Sequence, residues 1–221
     1  MTSQTTQNSQ SEIIKTEAFV SGIVLAAGCS SRMRDLGPKQ LLRFNQKTLL
    51  DRVLNQALKA RLNELILVLG HKADSILETL NDYAPETLRV TIAGDYAQGQ
   101  SRSLRAGLEA VHESAEAAAI LLGDQPDLRA STIDQMTTAW RKKRPRLLRP
   151  EYCEKEGQNI PGHPVVICRT VWPLMGRLKG DEGAREIIQR HPSWLTTVLL
   201  DGPAPRDVDT HSDWKTWVAS H

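Results

Sequence analysis

Cysteine is scarce in this chain of 221 residues: Cys29, Cys153 and Cys168 are odd in number and widely spaced. That spacing offers no disulfide framework and no metal-ligand pattern, so the three are expected to be reduced thiols that pack as small side chains. No apolar run approaches the roughly 18 residues that a membrane span needs. Nor does one charge dominate. With 28 Lys+Arg against 26 Asp+Glu the formal net charge is +2, which gives no reason to expect nucleic acid or an anionic membrane as a partner. Residues 1–18 are rich in Thr, Ser, Gln and Asn and have no apolar h-region. They are expected to be a disordered tail rather than a secretory signal, and a cytoplasmic protein follows from that expectation together with the reduced thiols. There is no internal repeat. Residues 19–221 suit a single domain able to bury a substantial core.

Within that span, short apolar runs at 19–26, 65–70, 88–93, 117–122, 165–168 and 196–200 alternate with longer amphipathic segments. This is the pattern of parallel strands joined by helices, hence an α/β fold with a mostly parallel sheet. Leu50, Val53, Leu54, Ala57 and Leu58 recur at one helical face, predicting a helix over 49–60. Further helices are expected over 73–83, 101–114, 131–141, 182–191 and 212–219. Ligands of open α/β sheets sit at the carboxyl ends of the strands. The loop after Ala26 and the Gly123-Asp124 turn both fall at such ends and can converge on one site.

Two common phosphate signatures are missing after the first apolar run: there is no Gly-Lys-Ser/Thr and no G-x-G-x-x-G. The chain instead reads Leu25-Ala26-Ala27-Gly28-Cys29-Ser30-Ser31-Arg32-Met33, with Lys39 following in Pro38-Lys39-Gln40. A turn of glycine and alanine lets a phosphate approach the backbone closely, while Arg32 can grip phosphate oxygens as a fork and Lys39 as a point charge. Without that turn both cations would read as solvated surface charge. Asp124 closes an apolar strand that Gln125-Pro126 prevents from continuing. It reads either as a turn aspartate or, given a phosphate loop opposite, as a magnesium ligand.

The loop resembles the signature loop of the MobA-like nucleotidyltransferases, and four later segments follow in that family's order. Leu122-Gly123-Asp124-Gln125-Pro126 and Gly162-His163-Pro164-Val165 are similar to the G-D-Q-P and G-H-P-V words of its molybdenum cofactor cytidylyltransferase branch; Gly180-Asp181-Glu182-Gly183-Ala184-Arg185 and Asp207-Val208-Asp209-Thr210 complete the set. The resemblance spans about residues 20–217. It implies a Rossmann-like three-layer fold of the nucleotide-diphospho-sugar transferase type, with Mg2+ as cofactor. Arg32, Lys39 and Asp124 are then catalytic, and Asp124 and Asp209 hold the metal, Asp209 being favoured over Asp207. Leu25, Ala26, Ala27, Gly28, Ser30, Arg32, Lys39, His71, Asp95, Ser101, Ser103 and Asp124 line the nucleotide. Ser101 reads equally as a helix N-cap, and His71 as a neutral surface histidine. Gly162, His163 and Pro164 line the acceptor, with proton transfer by His163 the lesser reading.

The loop also departs from the family: Arg34 stands where a glycine is common, and the stretch to Lys39 is two residues longer and ends Pro-Lys-Gln. That ending is similar to the methylerythritol phosphate cytidylyltransferases and bears on the acceptor, not on the nucleotidyl chemistry. Against those enzymes stand Gly-Asp-Gln-Pro in place of a D-x-A-R-P-type segment, and Asp207 where they carry a lysine. The implied reaction is cytidylyl transfer from CTP to the phosphate of molybdopterin, with pyrophosphate released and a molybdenum hydroxylase as a further partner. The alternatives are another phosphorylated acceptor, GTP as donor, or a non-catalytic molybdenum cofactor chaperone. Ala27 favours CTP, since guanylyl-transferring relatives tend to carry glycine there. The cationic run 141–146 is expected to be a solvated helix end, and the five tryptophans to serve packing.

Overall fold

The apolar runs become the strands of one twisted sheet and the amphipathic segments become its covering helices. The structure, a computed structural model, describes residues 17–153 and 159–221; the expected tail falls, for residues 1–16, outside the described residues. The strands are β1 (Val20–Ala26), β2 (Arg43–Phe44), β3 (Lys47–Thr48), β4 (Glu64–Leu69), β5 (Arg89–Ile92), β6 (Ala117–Leu122), β7 (Leu147–Cys153), β8 (Asn159–Pro161), β9 (Val165–Cys168) and β10 (Leu195–Asp201). The helices are α1 (Leu49–Lys59), α2 (Ala73–Leu77), α3 (Gln100–Ala110), α4 (Ala130–Lys143), α5 (Trp172–Met175), α6 (Ala184–Arg190) and α7 (His211–Ala219).

The main sheet runs β10-β7-β9-β6-β1-β4-β5, with β8 added to β7. Strand β1 pairs in parallel with β4 and β6, β4 with β5, and β7 with β10; β9 lies antiparallel between β6 and β7. Successive side chains of a strand point to opposite faces, and β1 shows the result. Ile23 packs with Leu104 and Leu108 of α3 and Ile187 of α6, whereas Val24 packs with Leu50, Val53 and Leu54 of α1 and Ile133 of α4. Burial on both faces explains why β1 reads as a continuous apolar run rather than an alternating one. Among the described residues no helix is long and apolar enough to cross a membrane.

Two expectations need correction, and one strand was not expected at all. The helix expected over 73–83 stops at Leu77, because Thr79 Oγ1 and Asn81 Nδ2 donate to the carbonyls of Ile76 (2.7 Å) and Glu78 (3.0 Å), drawing the chain into turns. Strand β7 was hidden by its own sequence, Leu-Leu-Arg-Pro-Glu-Tyr-Cys. Pro150 is tolerated because it falls where β7 exchanges partners, pairing with β9 at Leu147 and Leu148 and with β8 from Glu151 to Cys153. The run 141–146 is not simply solvated. Arg141, whose side chain is 9% exposed, donates to the carbonyls of Ala18 (3.1 Å) and Arg61 (3.2 Å) and to Asn63 Oδ1 (3.0 Å), and it pairs with Glu17 at 3.3 Å. Arg144 lies over Trp140 and Arg146 over Trp194, at 4.7 and 4.4 Å from the ring centres.

Arg141 therefore fastens the entry to β1 and the turn before β4 onto α4. Replacing it with alanine removes several charge-assisted hydrogen bonds and leaves carbonyls short of partners, a cost of about 2 to 4 kcal/mol. For a domain of this size that lowers the melting temperature by about 5 to 15 °C. A calorimetric scan of Arg141→Ala checks this, and a melting temperature equal to that of the unchanged protein overturns it.

Candidate active site

The loop after β1 is held open by its own polar side chains. Gln40, 2% exposed, donates from Nε2 to the carbonyl of Ala26 at 3.0 Å, anchoring the far end of the loop to the strand end. Ser30 adopts a left-handed conformation, with φ of 52°, accepts the Lys39 N–H at 3.1 Å and donates to Gln40 Oε1 at 3.4 Å. Its hydroxyl thus closes the loop from within. Met33, buried, pins the short turn of 3-10 helix Ser31–Leu36 that carries Arg32. Gly28 faces open space: no atom lies within 4 Å of the Cβ it lacks. Leu25 and Ala26 form the floor at the strand end, and Ala27, 4% exposed, turns its methyl toward Gly70.

Beneath this loop the end of β6 is fixed to the same strand, because Gly123 donates its N–H to Leu25 O at 2.9 Å. Asp124 follows, and its carbonyl accepts Val208 N–H at 2.9 Å, bringing the segment after β10 alongside. The result is a charge cluster. Lys39 Nζ lies 2.5 Å from Asp124 Oδ2 and 2.7 Å from Asp209 Oδ1, and Arg32 reaches Asp209 Oδ2 at 3.1 Å. Burial alone would lower the pKa of Lys39, but the charges and hydrogen bonds of Asp124 and Asp209 outweigh it and raise the pKa above its ordinary value. The ammonium therefore stays charged at neutral pH. Asp207 turns elsewhere, accepting Gln125 Nε2 at 2.8 Å. Desolvation, then the neighbouring charge of Asp124, raises its carboxyl above the usual range. Asp124 Oδ1 is buried and has no hydrogen-bond partner among the described residues, an acceptor fit for a cation. No group of three or more His, Cys, Asp or Glu poised for a metal occurs among the described residues. Two carboxylates do suffice for magnesium when phosphate oxygens and water complete its shell.

On the β4–β5 side, His71 donates its N–H to Ala27 O at 3.1 Å and its ring faces Tyr96 Oη at 3.4 Å. Asp95 faces Arg102 at 3.4 Å. The N-cap of α3 is Gly99 rather than Ser101, and as a glycine it has no side chain with which to cap the helix. The segment Gly180-Asp181 takes that role: Asp181 Oδ1 accepts Gln100 N–H at 3.3 Å and Gly180 O accepts Ser101 N–H at 3.0 Å. Gly99, with φ of +111°, could carry no side chain there, since a Cβ would meet the Gly180 carbonyl carbon at 2.2 Å. Ser101 and Ser103 are both buried, and Ser101 Oγ has no hydrogen-bond partner among the described residues.

On the β6–β10 side, Tyr152 donates to the His163 carbonyl at 2.5 Å, and its ring fills the space a Cβ on Gly162 would need. Pro164 is buried, following a cis peptide bond. Desolvation pushes the His163 imidazole down to about 4 despite the opposing charge of Asp124, so the ring is neutral near pH 7. Tyr152 and Asp207 also line a groove of about 840 Å³ bounded by Pro126, Arg129, Arg206 and Trp217. Every site residue expected from sequence lies at the carboxyl-end rim of the sheet or in the α3 turn beside it. Gln40, Gln125, Tyr152 and Asp181, which position the others, escaped sequence reasoning, although Gln125 and Asp181 had a signal in the second family word and the fourth.

The sequence matches the MobA-like NTP transferase domain over residues 22–194. A protein of Paenarthrobacter nicotinovorans named nicotine blue oxidoreductase is 30% identical over 196 residues, covering 86% of this chain and 92% of that protein. The crystal structure of Rv0371c from Mycobacterium tuberculosis is 32% identical, with a TM-score of 0.76 over 92% of this chain and all (100%) of that one. The same protein has also been solved in complex with manganese, with a TM-score of 0.75 at 32% identity and the same coverage, 92% and 100%. The bifunctional protein GlmU of Staphylococcus saprophyticus is 27% identical over 114 residues, 52% of this chain and 24% of that protein, so the chain spans about a quarter of its length.

His163 gives the site a pH signature. Its pKa is about 4 in the folded chain against 6.5 as its ordinary value, so the unfolded chain binds the extra proton and stability must rise with pH between these limits. The contribution is complete above about pH 6.5 and is lost as pH falls toward 4. The His163 ring resonances, followed by NMR, should titrate with a midpoint near 4. His163→Asn should flatten the acid side of the stability profile, and an ordinary midpoint would overturn the assignment.

Proposed function

The chain belongs to the MobA-like NTP transferase family, and on that premise we propose that it is a magnesium-dependent cytidylyltransferase whose acceptor is the phosphate of a molybdopterin-type cofactor. The observation that carries this reading is the cluster of Lys39, Arg32, Asp124 and Asp209 beneath the open Gly28 turn. Two cations and two carboxylates at the end of a phosphate-sized loop suit a metal–triphosphate complex. A carrier that only stores a cofactor has no use for them. Asp124 and Asp209 would hold the magnesium ion, which supplies neutralisation of charge at the α-phosphate; the manganese complex of the Mycobacterium tuberculosis relative is consistent with a divalent ion.

In the reaction an acceptor phosphate oxygen attacks the α-phosphorus of CTP in line, the bond to the β-phosphate oxygen breaks, and pyrophosphate leaves with its negative charge. Arg32 and Lys39 neutralise that charge, and almost all the rate gain comes from positioning and electrostatics. No general base is required, because the acceptor phosphate is already ionised. The base lies beside His71, Asp95, Ser101 and Ser103, and the acceptor beside Gly162, His163 and Pro164. The neutral His163 ring adds no charge to the acceptor side, and the groove past Asp207 has room for the acceptor body. Such an enzyme acts in the cytoplasm and hands its product to a molybdenum hydroxylase.

The name of the Paenarthrobacter relative favours a second reading, electron transfer to an organic substrate. Against it, the chain has no G-x-G-x-x-G fingerprint after β1, and hydride transfer has no need of a lysine shared between carboxylates. Pyrophosphate release from CTP with molybdopterin and magnesium tests the first reading; oxidation of a nicotinamide cofactor without pyrophosphate would establish the second. In the same assay Asp124→Asn should lower turnover by about 10²-fold, since an amide is a poor magnesium ligand. Activity within about threefold of the unchanged protein, at saturating magnesium, would overturn the metal assignment.

Donor choice follows from Ala27. Its methyl lies against Gly70, 2.8 Å from where a Cβ on that glycine would stand, so it sets the spacing of two strand ends rather than lining the base directly. CTP should be preferred over GTP by about one to two orders of magnitude, the scale that a methyl-sized difference allows. Ala27→Gly should relax the preference without inverting it. Competition between equimolar CTP and GTP decides the matter, and a preference for GTP would leave only the broader transferase reading.

A further inference from the structure

The four carboxylate oxygens of Asp124 and Asp209 are almost all taken. Lys39 Nζ holds Asp124 Oδ2 and Asp209 Oδ1, and Arg32 holds Asp209 Oδ2. Only Asp124 Oδ1 is unclaimed among the described residues, and it is buried. A divalent ion arriving alone would therefore find one free oxygen, next to an ammonium whose side chain is 11% exposed and so little screened by water. Magnesium sheds its water reluctantly and is usually held by carboxylates together with substrate phosphates. A triphosphate changes the balance, because its oxygens compete for both Lys39 and Arg32, and drawing these cations away frees the carboxylates. Lys39 has the reach to exchange: its backbone is fixed by Ser30 at 3.1 Å, and a flexible four-carbon stem separates that anchor from the ammonium.

We infer that Lys39, assisted by Arg32, is a resident counter-ion that fills the divalent-cation position of the empty protein and yields it only to a metal that arrives with a nucleoside triphosphate. The cluster then rejects free divalent cations and couples metal binding to donor binding; by linkage each ligand raises the affinity of the other by the same factor. This inference rests on Asp124 and Asp209 being the metal's carboxylates, as in the reading above, but not on the identity of base or acceptor.

Mn2+ alone is the probe, titrated into the full chain with free Mn2+ followed by electron paramagnetic resonance, in the absence of nucleotide. Lys39→Met keeps the length of the side chain and removes its charge. It should bind Mn2+ at least about tenfold more tightly than the unchanged protein, the scale of one close charge, and Arg32→Ala should gain less, since Arg32 is exposed. Adding Asp124→Asn to Lys39→Met should abolish the gain, tying it to this site, and Lys142→Met on α4 should show none. With CTP present the unchanged protein should bind Mn2+ as tightly as Lys39→Met does without it. Equal Mn2+ affinity of the unchanged protein and Lys39→Met without nucleotide overturns the inference. If Lys39→Met fails to melt cooperatively, Arg32→Ala decides by the same criterion. Because the readout is metal binding, the inference stands if cytidylyl transfer to molybdopterin is not observed, and it can fail while that transfer is found.

Discussion

The contact of Lys39 with two aspartates is the interaction on which the arrangement of the active site depends. Asp124 and Asp209 are supplied by segments far apart in sequence, and each carboxylate repels the other. The neighbouring Asp207 carboxyl shows the cost of such crowding, being raised by desolvation and by the charges of Asp124 and Asp209. A lysine between them turns repulsion into cohesion. It also commits the loop that carries it, since Lys39 can reach the carboxylates only while Ser30 and Gln40 fold that loop back onto Ala26.

The remaining members of the cluster are rigid for reasons that lie in regular structure. Asp124 sits at the end of β6, between β1 and β9. Asp209 lies at the entrance to α7, where Thr210 and Asp213 form a capping box and Asp213 Oδ2 also accepts the Asp209 N–H at 3.1 Å. The hydrogen bond from Thr210, followed by those from the backbone, holds the Asp213 carboxyl below its usual range, so it remains an anion and an acceptor. A helix cap thus doubles as the support of a site residue.

What could be read from the sequence was what chemistry shows locally. The strand that is apolar throughout, the amphipathic face of α1 and the small-residue turn before Arg32 are each decided within a few residues. In the structure Asp209 pairs with Lys39 and Asp207 accepts from Gln125. The end of the helix at Leu77 is local, set by Thr79 and Asn81; the other failures share one cause, in that the deciding partner is distant. Pro150 disguises β7 until the exchange of neighbours from β9 to β8 is known. Ser101 looks like an N-cap until Gly180 and Asp181 are seen to satisfy the first turn of α3 in its place. Arg141 looks solvated until the carbonyls of Ala18 and Arg61 arrive around it.

In the proposed reading, selection of the base has the same dependence on remote geometry. The turns after β1 and β4 are in register, with Ala26 opposite Leu69, and the next pair of residues, Ala27 and Gly70, meets just past the strand ends. Only one of that pair can carry a side chain, because a Cβ on Gly70 would also strike Tyr96 at 2.7 Å. The alanine at 27 and the glycine at 70 are therefore one structural choice, and Tyr96 with the His71 ring beside it completes the wall. A wall built from contacting parts transmits a methyl-sized change to all of them, since packed interiors have no slack to absorb it. In the proposed cytidylyltransferase, discrimination between a pyrimidine and a purine would then belong to the spacing of β1 and β4 and to the α3 turn together, and altering any one member would shift the preference by a part of its whole.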